Sequence, residues 1–205
     1  MKIISHRGYW TEENEKNSEV AFRKSFDMGY GTETDVRDAG GELVISHDMP
    51  SGGEMTLGDF FKLPGVDGLP LALNIKSDGL ANAVSMLASR NNIKNWFVFD
   101  MTIPDMKNYL ALGCPVYCRV SEVERTPVWV DECIGVWLDS FGPEWYDARF
   151  ITELLANGKE LCVVSSELHG RMKNKLWEML LPLSSEPRLT LCTDQPKHAS
   201  EYFAI

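Results

Sequence analysis

Two histidines bracket an acidic pair early in the chain. His6 lies in Ser5-His6-Arg7-Gly8, Glu33 and Asp35 in Gly31-Thr32-Glu33-Thr34-Asp35-Val36, and His47 in Ser46-His47-Asp48. Imidazoles titrate near neutral pH and pass protons in either direction, so His6 and His47 are candidate general acid and base. Glu33 and Asp35 sit two residues apart in a stretch rich in β-branched residues, which reads as a strand; at that spacing both carboxylates leave one face. Two carboxylates on one face repel unless a cation or a shared proton lies between them, and oxygen donors suit Mg²⁺ or Ca²⁺. The pattern is that of a divalent-metal site with proton carriers beside it. A lone histidine after a strand is more often structural, but two histidines around an acidic pair favour chemistry.

These residues need elements to hold them. Eight segments read as strands: Lys2 to Ser5, Thr32 to Val36, Leu71 to Lys76, Trp96 to Asp100, Val116 to Val120, Gly135 to Ser140, Leu161 to Ser165 and Leu189 to Asp194. Leu43 to His47 reads as an added strand or hairpin arm carrying His47. Helical spacing appears over Ser18 to Met28, Leu80 to Ser89, Ile103 to Leu112, Glu144 to Ala156 and Met172 to Leu181, with one short candidate over Thr56 to Leu63. Strand–helix alternation implies a parallel sheet, and eight repeats predict an α/β fold of the (β/α)₈ TIM-barrel class. Between Ser121 and Cys133 there is Pro127 and no helical period, so the expected barrel is small, with shortened crossovers. In Leu71-Ala72-Leu73-Asn74-Ile75-Lys76 the large apolar residues share one face, which leaves Ala72, Asn74 and Lys76 on the other. Asn74 and Lys76 then gather at the C-terminal end of the strand, where TIM barrels carry their chemistry. Asp100, Arg119, Asp139 and Asp194 end their strands likewise, and Trp137 is a candidate wall for the organic part of a substrate.

The set His6-Arg7-Gly8, Asn17-Ser18 with Ala21-Phe22, Gly29, Glu33-Thr34-Asp35-Val36 and Val44-Ile45-Ser46-His47-Asp48 resembles the signature of the glycerophosphodiester phosphodiesterases. That family belongs to a wider group of TIM-barrel phosphodiesterases that includes phosphatidylinositol-specific phospholipase C. The resemblance is dense over residues 3 to 48 and recurs at Leu71 to Lys76 and at Thr193-Asp194-Gln195-Pro196. It implies metal-dependent hydrolysis of a glycerophosphodiester or related phosphodiester, small or polymeric. His6 and His47 would be the acid/base pair, and Glu33, Asp35 and Asn74 the ligands of a Mg²⁺ or Ca²⁺ cofactor. Two positions depart from the family pattern. Lys16-Asn17 stands where a Glu-Asn pair is expected, and Asn74-Ile75-Lys76 where the strand ordinarily reads Glu, apolar, Lys, its glutamate a third metal ligand. An amide oxygen still ligates a hard cation but brings no charge. The second reading is therefore a non-catalytic phosphoester-binding module on a diverged barrel.

At 205 residues the chain fits a single domain over 1–205. A composition of 44% hydrophobic and 24% charged residues is that of an ordinary globular protein. The net charge of −10 argues against nucleic-acid or anionic-membrane binding, both of which need clustered Lys and Arg. An anionic substrate must then be drawn in locally, by Arg7, Lys76 and the metal. Lys76 has a competing role, the neutralisation of Glu33 or Asp35. Five cysteines without a CxxC pair read as reduced, buried thiols, which with the absence of a signal-like N-terminus predicts a cytoplasmic protein. No apolar run approaches the roughly 20 residues that span a bilayer, so no stable membrane insertion is expected. Oligomeric state is not legible in the sequence.

Overall fold

A computed structural model describes residues 1–205. The fold class is the α/β TIM barrel, with parallel strands and helices interspersed between them. The chain divides into two compact units, one formed by Ser5–Val116 and the other by Met1–Ile4 with Tyr117–Ile205. It passes from one to the other inside the first strand, β1 (Lys2–His6).

In the unit Ser5–Val116, β2 (Gly31–Ala39) runs parallel to β4 (Leu71–Ile75), and β4 parallel to β5 (Trp96–Phe99). The hairpin arm anticipated before His47 is present: β3 (Glu42–Ile45) pairs antiparallel with the end of β2, across Gly40 and Gly41 at positive φ. Every residue of β4 is buried, as a parallel strand covered on both faces requires. Helix α1 (Glu19–Asp27) starts at Ser18, whose hydroxyl accepts from the Ala21 amide at 3.3 Å, and buries Ala21, Phe22, Ser25 and Phe26. Phe22 meets Phe60 of α2 (Leu57–Phe60) edge-on at 4.7 Å. The short candidate Thr56 to Leu63 thus contracts to one turn of helix, stopped where Pro64 and Gly65 follow. Helices α3 (Ala81–Arg90) and α4 (Ile103–Ala111) complete the unit, the latter capped by the Thr102 hydroxyl.

Gly8 follows β1 at φ 85°, and a Cβ placed there would lie 2.6 Å from Ala21 Cβ and 2.8 Å from the Ala21 carbonyl carbon. Glycine is required by both the backbone conformation and the close approach of α1. The Tyr9 amide then donates to the Ala21 carbonyl at 2.9 Å, tying the turn to the helix.

In the other unit β6 (Tyr117–Val120), β7 (Gly135–Leu138), β8 (Glu160–Val164) and β9 (Leu189–Thr193) run parallel in that order. A side chain at Gly135 would collide with the Tyr117 ring at 2.5 Å and the Glu160 carbonyl at 2.8 Å. The connection from β6 to β7 contains no helix, as its sequence indicates. Helix α5 (Ala148–Ala156) begins four residues later than its apolar spacing suggests, because Asp147 caps it by accepting from Phe150 N at 2.9 Å. Helix α6 (Asn174–Leu180) is shorter than expected at both ends and gives way to a 3₁₀ turn over Leu181–Leu183 that contains Pro182. One helix was not anticipated, α7 (Pro196–Phe203), which buries Pro196, Ala199 and Phe203. All five cysteines are buried free thiols, and no helix is long and apolar enough to cross a membrane.

Candidate active site

Within the unit Ser5–Val116, β2 and β4 carry the acidic pair and its neighbour. Asp35 is directly opposite Asn74 in the parallel register, and Glu33 is opposite Ala72. Parallel partners project to one face, so two carboxylates and an amide converge. All three are buried: Glu33 is 2% exposed, Asp35 0% and Asn74 8%. Each leaves one side-chain oxygen buried without a hydrogen bond, namely Glu33 Oε2, Asp35 Oδ1 and Asn74 Oδ1. Buried acceptors are ordinarily satisfied, and leaving one bare costs roughly 1–3 kcal/mol. Three on one face form an incomplete shell of hard oxygen donors.

The cations around this face are unequally shared. Arg7 Nε lies 2.9 Å from Asp35 Oδ2, and Lys76 Nζ 3.2 Å from Oδ1 without making a hydrogen bond to it. Asn17 Nδ2 donates to Asp35 Oδ2 at 2.8 Å. Burial acts to raise the Asp35 pKa, but Lys76, Arg7 and the Asn17 hydrogen bond together outweigh it and hold the carboxyl below its ordinary value. Glu33 Oε2 lies 3.9 Å from His6 Nε2. Burial, with the charge of Asp35 adding to it, outweighs the charges of His6, Arg7 and Lys76, which act to lower the Glu33 pKa, and pushes it up to about 7. The pair is thus split into an ionised Asp35 and a Glu33 that exchanges its proton near neutral pH.

His47 follows β3 and is half exposed, its Nδ1 3.0 Å from Asp48 Oδ1, while its carbonyl accepts from Arg37 Nη2 at 3.2 Å. It lines a cleft of about 1040 Å³ together with Arg7 and Asn17. One wall of the cleft is Glu13–Ser18, which includes Lys16; the other runs from Ile45 to Met55. Lys16 Nζ stacks 4.3 Å from the Trp10 ring centroid, and Trp10 Nε1 donates to the His6 carbonyl at 3.1 Å.

The structure therefore brings His6, Arg7, Glu33, Asp35, Asn74 and Lys76 into one neighbourhood and sets Arg7 and His47 on the cleft. Lys76 neutralises Asp35, as one of its two sequence readings holds. No group of three or more His, Cys, Asp or Glu side chains is arranged to hold a metal; beside Glu33 and Asp35 the neighbouring oxygen is that of the Asn74 amide. The donor set fits a hard divalent cation, since all three oxygens are buried and unsatisfied. Arg7 and Lys76 already offset the charge of Asp35. Sequence reasoning assigned no role to Asn17 or Thr34. The signal for Asn17 was its place in the motif beside Ser18, the cap of α1.

In the other unit, Trp137 on β7 is 4% exposed. Asp139, just after β7, accepts from His169 Nε2 at 2.8 Å and from Ser140 N at 2.7 Å. Glu144 accepts from Arg171 Nη1 and from the Ser166 hydroxyl, and Glu167 from the hydroxyls of Ser165 and Thr193. His169, at the end of a 3₁₀ turn over Ser166–His169, carried no sequence signal, being an isolated histidine.

No protein-family model and no curated protein matches the sequence. Solved structures do match it over nearly its full length. A glycerophosphodiester phosphodiesterase from Agrobacterium tumefaciens str. C58 superposes with a TM-score of 0.68 at 15% identity, covering 100% of both chains. A glycerophosphoryl diester phosphodiesterase from Parabacteroides distasonis gives 0.71 at 13% identity over 99% of this chain and 86% of the other. A Ca²⁺-dependent phosphatidylinositol-specific phospholipase C from Streptomyces antibioticus gives 0.58 at 12% identity over 98% and 96%. These are the phosphodiesterases that the His6 to His47 motif resembles, and at such identities the likeness establishes the TIM-barrel fold alone.

Proposed function

We propose that the chain hydrolyses a phosphodiester in which one alcohol is glycerol or a similar polyol. The observation that carries this reading is the trio of buried oxygens without a hydrogen bond on Glu33, Asp35 and Asn74, with His6 beside Glu33 and a cleft bearing Arg7 and His47. Structural likeness to two glycerophosphodiester phosphodiesterases and a phospholipase C supports it. A bound divalent cation supplies a Lewis acid for a non-bridging phosphate oxygen. Arg7, on the cleft, orients the phosphate with its guanidinium while keeping Asp35 ionised. Lys76 does not line the cleft and acts first on Asp35, adding positive field toward the phosphate. Of the two histidines, one would take a proton from the polyol hydroxyl next to the phosphate as it bonds to phosphorus, and the other would give one to the alcohol oxygen whose P–O bond breaks; water then opens the cyclic phosphodiester with the two roles exchanged. Asp48, on His47 Nδ1, holds that imidazole so that Nε2 meets substrate.

One observation favours a second reading, a phosphoester-binding module without turnover. Arg7 and Lys76 bring two positive charges to the single one on Asp35, so with Glu33 protonated the face is net positive with no ion bound, which opposes a cation and suits an anionic phosphoester. An assay on a panel of glycerophosphodiesters and polymeric glycerol phosphates, with and without EDTA, separates the two. Hydrolysis abolished by EDTA and restored by Mg²⁺ or Ca²⁺ is the expected result; binding without turnover under every condition would leave the module reading.

A further inference from the structure

Asp35 does not find its place unaided. Its Oδ2 accepts from Asn17 Nδ2 at 2.8 Å, and the other end of that amide, Oδ1, accepts from the Thr34 hydroxyl at 2.9 Å. The second bond fixes the direction of the first. With the Thr34 hydroxyl donating to the Asn17 oxygen, the amide nitrogen must face the carboxylate; turned over, it would set two acceptors against each other inside the protein. Thr34 is wholly buried, so no water replaces its hydroxyl. The Asn17 backbone is held as well, in the left-handed region at φ 60°, by donation of its amide to the Arg7 carbonyl at 2.9 Å. Asparagine is among the few side chains that tolerate that conformation. Asn17 also belongs to the Glu13–Ser18 wall of the cleft and immediately precedes the cap of α1.

We propose that Thr34 and Asn17 are positioning residues that form a latch. Thr34 orients the Asn17 amide, Asn17 sets the Asp35 carboxylate with Oδ1 turned away from the latch, and the Glu13–Ser18 wall is thereby tied to the face of Glu33, Asp35 and Asn74. The latch rests on the reading of that face as a cation-dependent phosphodiesterase site, and it deepens that reading by naming what holds the site in register. The residues act through Asp35: Thr34 is wholly buried, and Asn17 spends both ends of its amide on Thr34 and Asp35.

The test uses the full chain as wild type, Thr34→Val, Thr34→Ser and Asn17→Ala. Valine keeps the shape of threonine and removes the hydroxyl; serine keeps the hydroxyl and removes the methyl. Nitrogen-edited NMR of the Asn17 side-chain amide, assigned by its loss in Asn17→Ala, reports the latch without any assay of activity. The amide protons should be shifted and slowly exchanging in wild type and Thr34→Ser, and lose both properties in Thr34→Val. Calorimetric titration with Ca²⁺ and Mg²⁺ alone should show affinity falling roughly 10- to 100-fold in Thr34→Val and Asn17→Ala, with Thr34→Ser close to wild type. In turnover, kcat should fall with KM little changed. If Thr34→Val fails to fold, Asn17→Ala and Thr34→Ser carry the comparison. An unaltered Asn17 amide in Thr34→Val, unaltered cation affinity in Asn17→Ala, or equal losses in the serine and valine variants would overturn the latch. An Asn17 amide and a cation affinity that respond as described, in a protein that hydrolyses no phosphodiester, would support the latch and overturn the hydrolytic reading instead.

Discussion

Each of the two units gathers carboxylates, a histidine and an arginine, and the two gatherings end in opposite electrostatic states. In the unit Tyr117–Ile205 every carboxylate described is matched: Asp139 by His169 and the Ser140 amide, Glu144 by Arg171 and Ser166, Glu167 by two hydroxyls. What stays bare there are the hydroxyls of Ser121 and Tyr146 and one nitrogen of Arg171, and no carboxylate oxygen is among them. On the Glu33–Asp35 face the cations crowd onto Asp35 and leave Glu33 with a raised pKa and an open oxygen. Residue types alone do not separate a structural network from a reactive one. The distribution of partners does, because unsatisfied buried charge is tolerated where a ligand completes it.

The largest test of this contrast lies in turnover. His6→Ala and His47→Ala should each lower kcat by roughly 10² to 10⁴ fold with smaller changes in binding, whereas His169→Ala, in the matched network, should act on stability. A His47→Ala protein with wild-type turnover would remove His47 from the mechanism.

Next in size is the effect of pH on stability. Folded Glu33 holds its proton to about 7 against an ordinary value of 4.5, so between those values the folded state binds the extra proton and stability falls as pH rises, levelling above 7. The gap corresponds to roughly 3 kcal/mol. Asp35, with its pKa lowered, acts in the opposite sense and at lower pH, losing its contribution as pH falls through the acid range. Cation-free Glu33→Gln should therefore unfold at higher denaturant than wild type at pH 8, with the difference gone at pH 4. Added Ca²⁺ or Mg²⁺ should stabilise wild type and not the variant. Equal stability of the two proteins across that range would show that the burial of Glu33 carries no such cost.

Arg171→Leu probes the matched network. It strands Glu144, which is only slightly exposed, and should cost about 2 kcal/mol in denaturant unfolding while cation affinity stays the same. A change in cation affinity would join two clusters that the contrast treats as independent. The smallest expected effect is in Asn74→Glu, which restores one charge to the donor set and should tighten Ca²⁺ by about tenfold, roughly 1.4 kcal/mol, without raising turnover. No change would place Asn74 outside the donor set.

Much of this site was legible because its chemistry is local in sequence. Glu33 and Asp35 need only strand periodicity to share a face, and the parity of β4 places Asn74 and Lys76 at the strand's C-terminal end. Partner choice was not legible. Which carboxylate Arg7 and Lys76 would neutralise depends on register and side-chain reach across strands, and the sequence left Lys76 open between phosphate and carboxylate. The Thr34–Asn17 bond escaped for a similar reason: Thr34 reads as a β-branched strand filler until its hydroxyl is seen to meet an amide seventeen residues away. Helix α7 was missed although Pro196 stands at its first turn, a position proline favours, because the residue before it, Gln195, makes no side-chain capping bond and is not a usual cap. The barrel class itself followed from alternation, and the helix-free stretch between β6 and β7 from Pro127 and a missing period.

The meeting of Gly8 with Ala21 is a fit with no clearance. Two of the smallest residues in the alphabet face one another where the His6-Arg7-Gly8 turn rests on α1, and the turn's own backbone is bonded to that helix. Ala21 is wholly buried against that turn, so a longer side chain at position 21 should press on the loop that presents His6 and Arg7. Inactivating changes should therefore accumulate at a residue that bears no polar group and touches no substrate, making Ala21 a mechanical weak point for the chemistry a few ångströms away.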